Sequence, residues 1–274
     1  MNLDLIKKLR EITNVGYAEC VKALKATKND IDEAIKWIRL YSSHKIIKKS
    51  GNLNKEGNVL SAFKDNVGYI LVLNSETDFV SNTEMFQNLH KKLIETALEQ
   101  KPDDLKTFEN IKVADNGSVK DYILETAAKF KENISISSFK KLSLKENQWF
   151  WSYNHINKLS SSLVIFEGDK NPETADDICM QIVASKPKYL SIESVPQEII
   201  DAEKEIVSQE IAKNKTNRPA SIVEKIIAGK MNRFYTENCL LEQPFIKLSK
   251  QTVKQYLANH NLKVVDFLFQ EIVK

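Results

Sequence analysis

The stretch Tyr69-Ile70-Leu71-Val72-Leu73-Asn74-Ser75-Glu76-Thr77-Asp78-Phe79-Val80-Ser81-Asn82-Thr83 decides how this chain folds. Apolar residues run to Leu73, the composition then turns polar, and Phe79 stands flanked by Asp78 and by polar Ser81 and Asn82. Upstream, Val59, Ser61 and Phe63 and then Tyr69, Leu71 and Leu73 repeat with period two around Asp65-Asn66, the alternation and turn chemistry of a β-hairpin. Downstream, Phe86, Leu89, Leu93 and Ala97 recur at helical spacing from a cap at Asn82 or Thr83 to a stop before Pro102. The spacing predicts a strand that leaves a sheet through a loop at 74–80 and enters a helix. Phe79 has two readings here. Its ring tucks under its own helix, or it stands exposed on a stiff corner, the shape needed to pry apart packed elements of a partner.

Working outward, a second helix opens at Ser118, where Asp121 completes a capping-box pattern, and runs to about Glu132. Residues 134–144 then read as a strand. The same order recurs further on. Strand patterns at 150–153 and 163–166 precede a helix opened by Asn171-Pro172, with proline at the first helical position. That helix carries Ile178, Ile182 and Ala184 until Pro187, and a final strand covers 264–269. The repetition predicts an α+β fold with two pseudo-equivalent antiparallel-sheet subdomains. Helical patterns at 197–214 and from Ile222 to Met231, separated by Asn217-Arg218-Pro219, predict an antiparallel helical hairpin inserted in the second copy.

At the N-terminal end, Leu5, Leu9 and Ile12, then Ala18, Val21 and Leu24, then Ile31, Ala34, Ile35 and Ile38 predict three short helices, the third capped by Asn29 or Asp30. Residues 42–57 are rich in Ser, Lys, Asn and Gly. The expected organisation is a three-helix module at 1–42, a linker at 43–56, a core N-subdomain at 57–146, a core C-subdomain from 147–196 and 241–274, and the hairpin at 197–240.

Composition narrows the chemistry. The 274 residues hold 40 Lys+Arg against 37 Asp+Glu, a formal charge of +3. Only Arg10, Arg39, Arg218 and Arg233 are arginines, which argues against a dedicated nucleic-acid reader, since bidentate phosphate and base contacts favour arginine. Cys20, Cys179 and Cys239 lie far apart with no CxxC pair, as in a reducing cytosol. No apolar run reaches the ~18 residues of a membrane helix, and the first residues enter an amphipathic pattern with no signal-peptide core. A soluble, cytoplasmic protein without a membrane partner is expected. No phosphate-binding glycine motif occurs, and His44, His90, His155 and His260 show no metal-binding spacing. No catalytic residue, metal ligand or cofactor is expected.

Several collinear blocks resemble the elongation factor Ts family over nearly the whole chain. They are Ile6 to Thr13 through Cys20 and Ala23-Leu24, Asp30-Ile31 with Ala34-Ile35, Gly57-Asn58-Val59, Thr77-Asp78-Phe79-Val80, Glu132-Asn133-Ile134, Ala184-Ser185-Lys186-Pro187 and Gln243-Pro244-Phe245. The resemblance implies a non-enzymatic guanine-nucleotide exchange factor in translation elongation, whose partner is the GTPase elongation factor Tu, with no nucleic acid required. It implies that Thr77, Asp78, Phe79 and Val80 dock on the GTPase domain, with Phe79 inserted between helices and Asp78 orienting the loop. The partner's magnesium-binding region is thereby displaced and its phosphate loop loosened. It further implies a ubiquitin-associated-like (UBA-like) N-terminal module that touches the partner through Lys7, Arg10 and Tyr17, where Tyr17 replaces a frequent methionine. C-subdomain contacts are implied at Gln181, where many members carry histidine, and at Ile246. The 199–240 segment resembles the family's coiled-coil arm, and the contact made by a terminal helix in some members is expected to be absent. Two other classes stay open on residues alone. One is a Lys-rich RNA- or ribosome-associated protein, motivated by Lys45, Lys48 and Lys49 and a pI of about 8.5. The other is an enzyme whose site assembles from distant residues.

Overall fold

A computed structural model of the protein describes residues 3–13, 15–38, 55–113, 117–213 and 220–273. Helices are mixed with antiparallel sheets in an α+β architecture. The chain divides into two units, one of Met1–Ser143, Asn154–Ser161 and Gln270–Lys274, the other of Leu144–Tyr153 and Ser162–Phe269.

The first unit starts with α1 (Leu3–Thr13), α2 (Tyr17–Ala26) and α3 (31–38). The Asp30 carboxylate caps α3, accepting from the Glu33 amide at 3.0 Å, an amide with no intrahelical partner. Ile6, Leu9, Cys20, Leu24, Ala34 and Ile38 belong to one buried cluster. One residue of the expected stripe moves: Ile12 is 52% exposed and Ile6 lies inside in its place. At 3.6 residues per turn, positions 6, 9 and 13 share one side of α1, and position 12 falls past its edge. The expected linker at 43–56 lies outside the described residues except for its last two, and Asn217-Arg218-Pro219 lies outside them too.

β1 (Glu56–Lys64), β2 (Val67–Ser75) and β3 (Ile134–Ser143) form a sheet with β2 in the middle. The register pairs Lys64 with Val67, so Asp65 and Asn66 make the turn, with Asp65 at φ 54°. That left-handed conformation is better tolerated by Asp than by most residues. All nine residues of β2 are buried, which an alternating strand wetted on one face would not show. The chain then passes through a single helical turn, α4 (Asp78–Ser81), into α5 (Glu84–Gln100). Next come α6 (Leu105–Glu109), a helix the sequence patterns do not predict, and α7 (Val119–Phe130). Phe86, Leu89, Leu93 and Ala97 share one core with Tyr69, Leu71, Leu73, Val119, Ile123 and Ala127. Phe108 of α6 joins that core and stacks on Phe139, with ring centroids 4.6 Å apart. Thr83 caps α5, its hydroxyl accepting from the Phe86 amide at 3.2 Å, and Ser118 and Asp121 make the predicted capping box of α7. Lys131, at φ 60°, ends α7 just short of Glu132.

His90 of α5 is buried, with Nε2 3.2 Å from the Leu71 carbonyl. Burial pushes its pKa down from 6.5 to about 4. The folded protein therefore keeps a neutral ring where the unfolded chain takes up a proton. Stability should be unaffected by this group above pH 6.5 and should fall as the pH drops from 6.5 towards 4. The loss by pH 4.5 is about 2–3 kcal/mol. Denaturant unfolding at pH 7.5 and 4.5 should show that increment in the wild type, and His90→Gln should lack it.

In the remaining elements, β4 (Gln148–Asn154), β5 (Ser160–Gly168) and a late strand, β8 (Leu262–Glu271), form a sheet in the order β4-β5-β8. Between β5 and β8 come α8 (Pro172–Ser185), α9 (Gln197–Lys213), α10 (Ala220–Asn238), the small hairpin β6 (Pro244–Phe245) and β7 (Leu248–Thr252), and α11 (Val253–Ala258). Asn171 caps α8 by accepting from the Thr174 amide at 3.1 Å, with Pro172 in its first turn. Trp149, Phe166, Ile178, Ile182, Phe245 and Leu257 belong to one core. Val207 of α9 and Met231 of α10 are buried, and Glu210 pairs with Lys230 between these two helices. Among the described residues no helix is long and apolar enough to cross a membrane.

Candidate partner-binding site

The predicted loop at 74–80 is instead wound into α4 at its end, and this turn aims its side chains in different directions. Val80 points into the core formed with β2 and α5, while Asp78 is exposed and Phe79 is 84% exposed. The tucked-ring reading of Phe79 is thereby overturned. A helical turn spaces neighbours by about 100°, so a buried Val80 carries Phe79 away from the interior.

A four-residue helix has almost no stability of its own, and its surroundings hold it. The Thr83 hydroxyl donates to the Val80 carbonyl at 2.7 Å, and Ser81 Oγ donates to the Asp78 carbonyl at 3.1 Å. From β1, the buried Asn58 side chain donates to the Ser81 carbonyl at 2.9 Å. At the entry, Ser75 Oγ donates to the Thr77 carbonyl at 2.8 Å. The Thr77 amide donates to Glu132 at 3.1 Å and its hydroxyl donates to the same carboxylate at 2.8 Å. In return the Asn133 amide donates to Glu76 at 2.9 Å. Glu76, Glu132 and Asn58 were not assigned roles from the sequence. Glu132 is 55 residues from Thr77, a pairing no local spacing reveals, although Glu132-Asn133-Ile134 was legible as a block.

Lys7 and Arg10, three apart on α1, and Tyr17, the first residue of α2, are all exposed. Gln181 is not. It is fully buried among Ile178, Cys179 and Ile182 of α8, and its side-chain amide is used within the chain. Nε2 donates to Ser185 Oγ at 3.0 Å and to Gln243 at 3.1 Å, while Oε1 accepts from the Ile246 amide at 2.8 Å. Ile246 itself is 48% exposed at the tip of the β6–β7 hairpin. In this chain position 181 reaches an outside surface through Ile246. Its neighbour Lys247 pairs with Asp177 of α8 at 2.5 Å, and Asp177 also accepts from the Tyr256 hydroxyl at 2.8 Å. Gln181 lies three residues from Ile178, inside the apolar stripe, which is the sequence signal for its burial.

The family model for elongation factor TS matches residues 76–273, starting at Glu76 beside the exposed turn. The chain is 35% identical over 272 residues to the elongation factor Ts of Pediococcus pentosaceus, covering 99% of this chain and 92% of that protein. The chain belongs to the elongation factor Ts family. Elongation factor Ts of Mycoplasmopsis pulmonis is 36% identical over 270 residues, 98% of this chain and 90% of that relative. As a member of that family, the protein acts in translation elongation, and its α+β architecture is that expected from the resemblance. The two relatives align across the three N-terminal helices as well, which the family model leaves out.

Proposed function

We propose that the protein is a guanine-nucleotide exchange factor that binds elongation factor Tu in its GDP-bound form and promotes GDP release. The turn Thr77–Val80 enters the GTPase and disturbs its magnesium and phosphate site; the magnesium belongs to the partner. The observation that carries this reading is Phe79, a large apolar ring 84% exposed on a turn whose base is bonded on several sides. A solvated phenylalanine held in one place gains on binding what a free side chain gives up in ordering.

Exchange works by linkage: factor and GDP weaken each other's binding by one coupling free energy. Burying a phenylalanine contributes roughly 1.5–3 kcal/mol, about one to two powers of ten in affinity. Further contacts must supply the rest. Lys7, Arg10 and Tyr17 on the N-terminal helices, read as a UBA-like module, and Ile246 on the β6–β7 hairpin are the residues assigned to them. α9 and α10 are read as the antiparallel coiled-coil arm, and the domain limits as 1–42, 57–146, 147–196 with 241–274, and 197–240. The reading includes no bond-making step and places the protein in the cytoplasm. In its support, Cys20, Cys179 and Cys239 are all buried, and burial pushes each thiol up, away from the reactive thiolate.

The deciding experiment is stopped-flow release of fluorescent GDP from purified elongation factor Tu. Release should accelerate at least about tenfold with saturating protein, a barrier lowered by about 1.4 kcal/mol or more. Release at the intrinsic rate would remove the proposal.

A further inference from the structure

We infer that Glu132 is a positioning residue of the exchange reaction, with Glu76 as its counterpart: two crossed carboxylates that set the direction of Phe79 before the partner arrives. This rests on the wedge reading of Phe79 and identifies what aims the wedge.

The backbone ladder between β2 and β3 ends at the pair Ser75–Ile134. Beyond that pair the two chains continue to hold each other through side chains. Glu76 accepts from the Asn133 amide at 2.9 Å, and Glu132 accepts from the Thr77 amide at 3.1 Å. The carboxylates thus extend the ladder by two steps, Glu76 with Asn133 and Glu132 with Thr77, each accepting from the amide that continues the register opposite it.

Thr77 shows where this attachment is directed. It is the N-cap residue of α4, yet its side chain makes no capping bond. An N-cap threonine ordinarily accepts from an amide of its own helix. Here the hydroxyl is donated outward, 2.8 Å from one Glu132 oxygen and 3.0 Å from the other. Phe79 lies two residues on, and the remaining anchors, Val80 in the core and Asn58 on the Ser81 carbonyl, sit beyond it. The ring is therefore carried between anchors on both sides. Hydrogen bonds to an ionised acceptor are roughly twice as strong as neutral ones, and Glu132 supplies the only charged acceptor among the bonds described for Thr77 and α4. Both Thr77 and Glu132 are half-buried at the end of the sheet, and neither belongs to the hydrophobic core cluster. Removing the carboxylate frees the turn and leaves the core packed.

The test uses the full chain with Glu132→Ala, Glu132→Gln, Phe79→Ala and the double variant Glu132→Ala/Phe79→Ala. Amide hydrogen exchange and GDP release from elongation factor Tu at saturating factor are both measured. In Glu132→Ala, the amides of Thr77, Ser81 and Asn82 should exchange about tenfold faster or more, with β2 and α5 unchanged. Maximal GDP release should fall about five- to tenfold. Glu132→Gln keeps an oxygen for the Thr77 amide and hydroxyl, and should recover most of the release rate. On the Phe79→Ala background Glu132→Ala should cause no further loss. Unchanged exchange at Thr77, or the same full loss with Phe79 absent, would overturn the positioning role. Wild-type release by Phe79→Ala would instead sink the wedge reading, and the amide data separate that failure from a failure of the clamp.

Discussion

Phe79→Ala is expected to slow factor-stimulated GDP release from elongation factor Tu by about tenfold or more, the equivalent of losing the roughly 1.5–3 kcal/mol of one buried phenylalanine. The ring is 84% exposed in the protein by itself, so its removal takes nothing from the core. The melting temperature of the variant should stay within about 2 °C of the wild type, because surface truncations away from packing change stability by about 0.5 kcal/mol at most. Loss of exchange with no loss of stability is the signature of a contact made only in the complex. Val80→Ala, one residue later, should behave oppositely, since Val80 is buried in the core. It should lower stability first and exchange only as a consequence. Stopped-flow release and thermal melts on the two variants separate these outcomes, and a Phe79→Ala protein with undiminished exchange would end the wedge mechanism.

Gly57→Ala is expected to cost about 3 kcal/mol or more of folding stability. Gly57 has φ +146°, and a Cβ placed on it would lie 2.2 Å from the Leu73 carbonyl oxygen and 2.7 Å from the Asn74 Cα. Both are backbone atoms of the central strand, where Gly57 pairs with Asn74, so relief requires the β1–β2 ladder to open. At about 2–4 °C per kcal/mol for a chain of this size, the melting temperature should drop by about 6 °C or more. The next residue, Asn58, holds the Ser81 carbonyl, so exchange by the folded fraction should fall as well. Gly229→Ala is the control. Nothing lies within 4 Å of a Cβ at this glycine of α10, and alanine favours a helix over glycine by about 1 kcal/mol. That variant should be as stable as the wild type or more so. A Gly57→Ala protein that melts with the wild type would show that β1 and β2 do not approach this closely.

Much of the fold was legible because it depends on neighbours in sequence. The hairpin turn at Asp65-Asn66, the caps at Thr83, Ser118 and Asn171, and the buried faces of α5 and α8 all follow from spacings of a few residues. Ile12 was misplaced and α6 went unpredicted for one reason. Whether a short apolar stretch is covered depends on elements elsewhere in the chain, and pattern alone does not place them. In the candidate site, Phe79 stood out as an apolar residue in polar company, but that pattern by itself favoured a ring tucked under its own helix, which the structure does not show. Gln181 illustrates the converse: the family resemblance implied an outside contact there, and packing turned its amide inward to hold Ile246.

By itself, then, the amino-acid sequence determined most of the longer helices and strands, many of their caps and turns, and the family, because these rest on local periodicity and on motifs read in order. Only the tertiary structure decided which way the ring of Phe79 faces and which groups hold it. Those depend on bonds between residues as distant as Asn58 and Ser81 or Thr77 and Glu132, and a linear pattern contains no information about which distant groups meet once the chain has closed on its core.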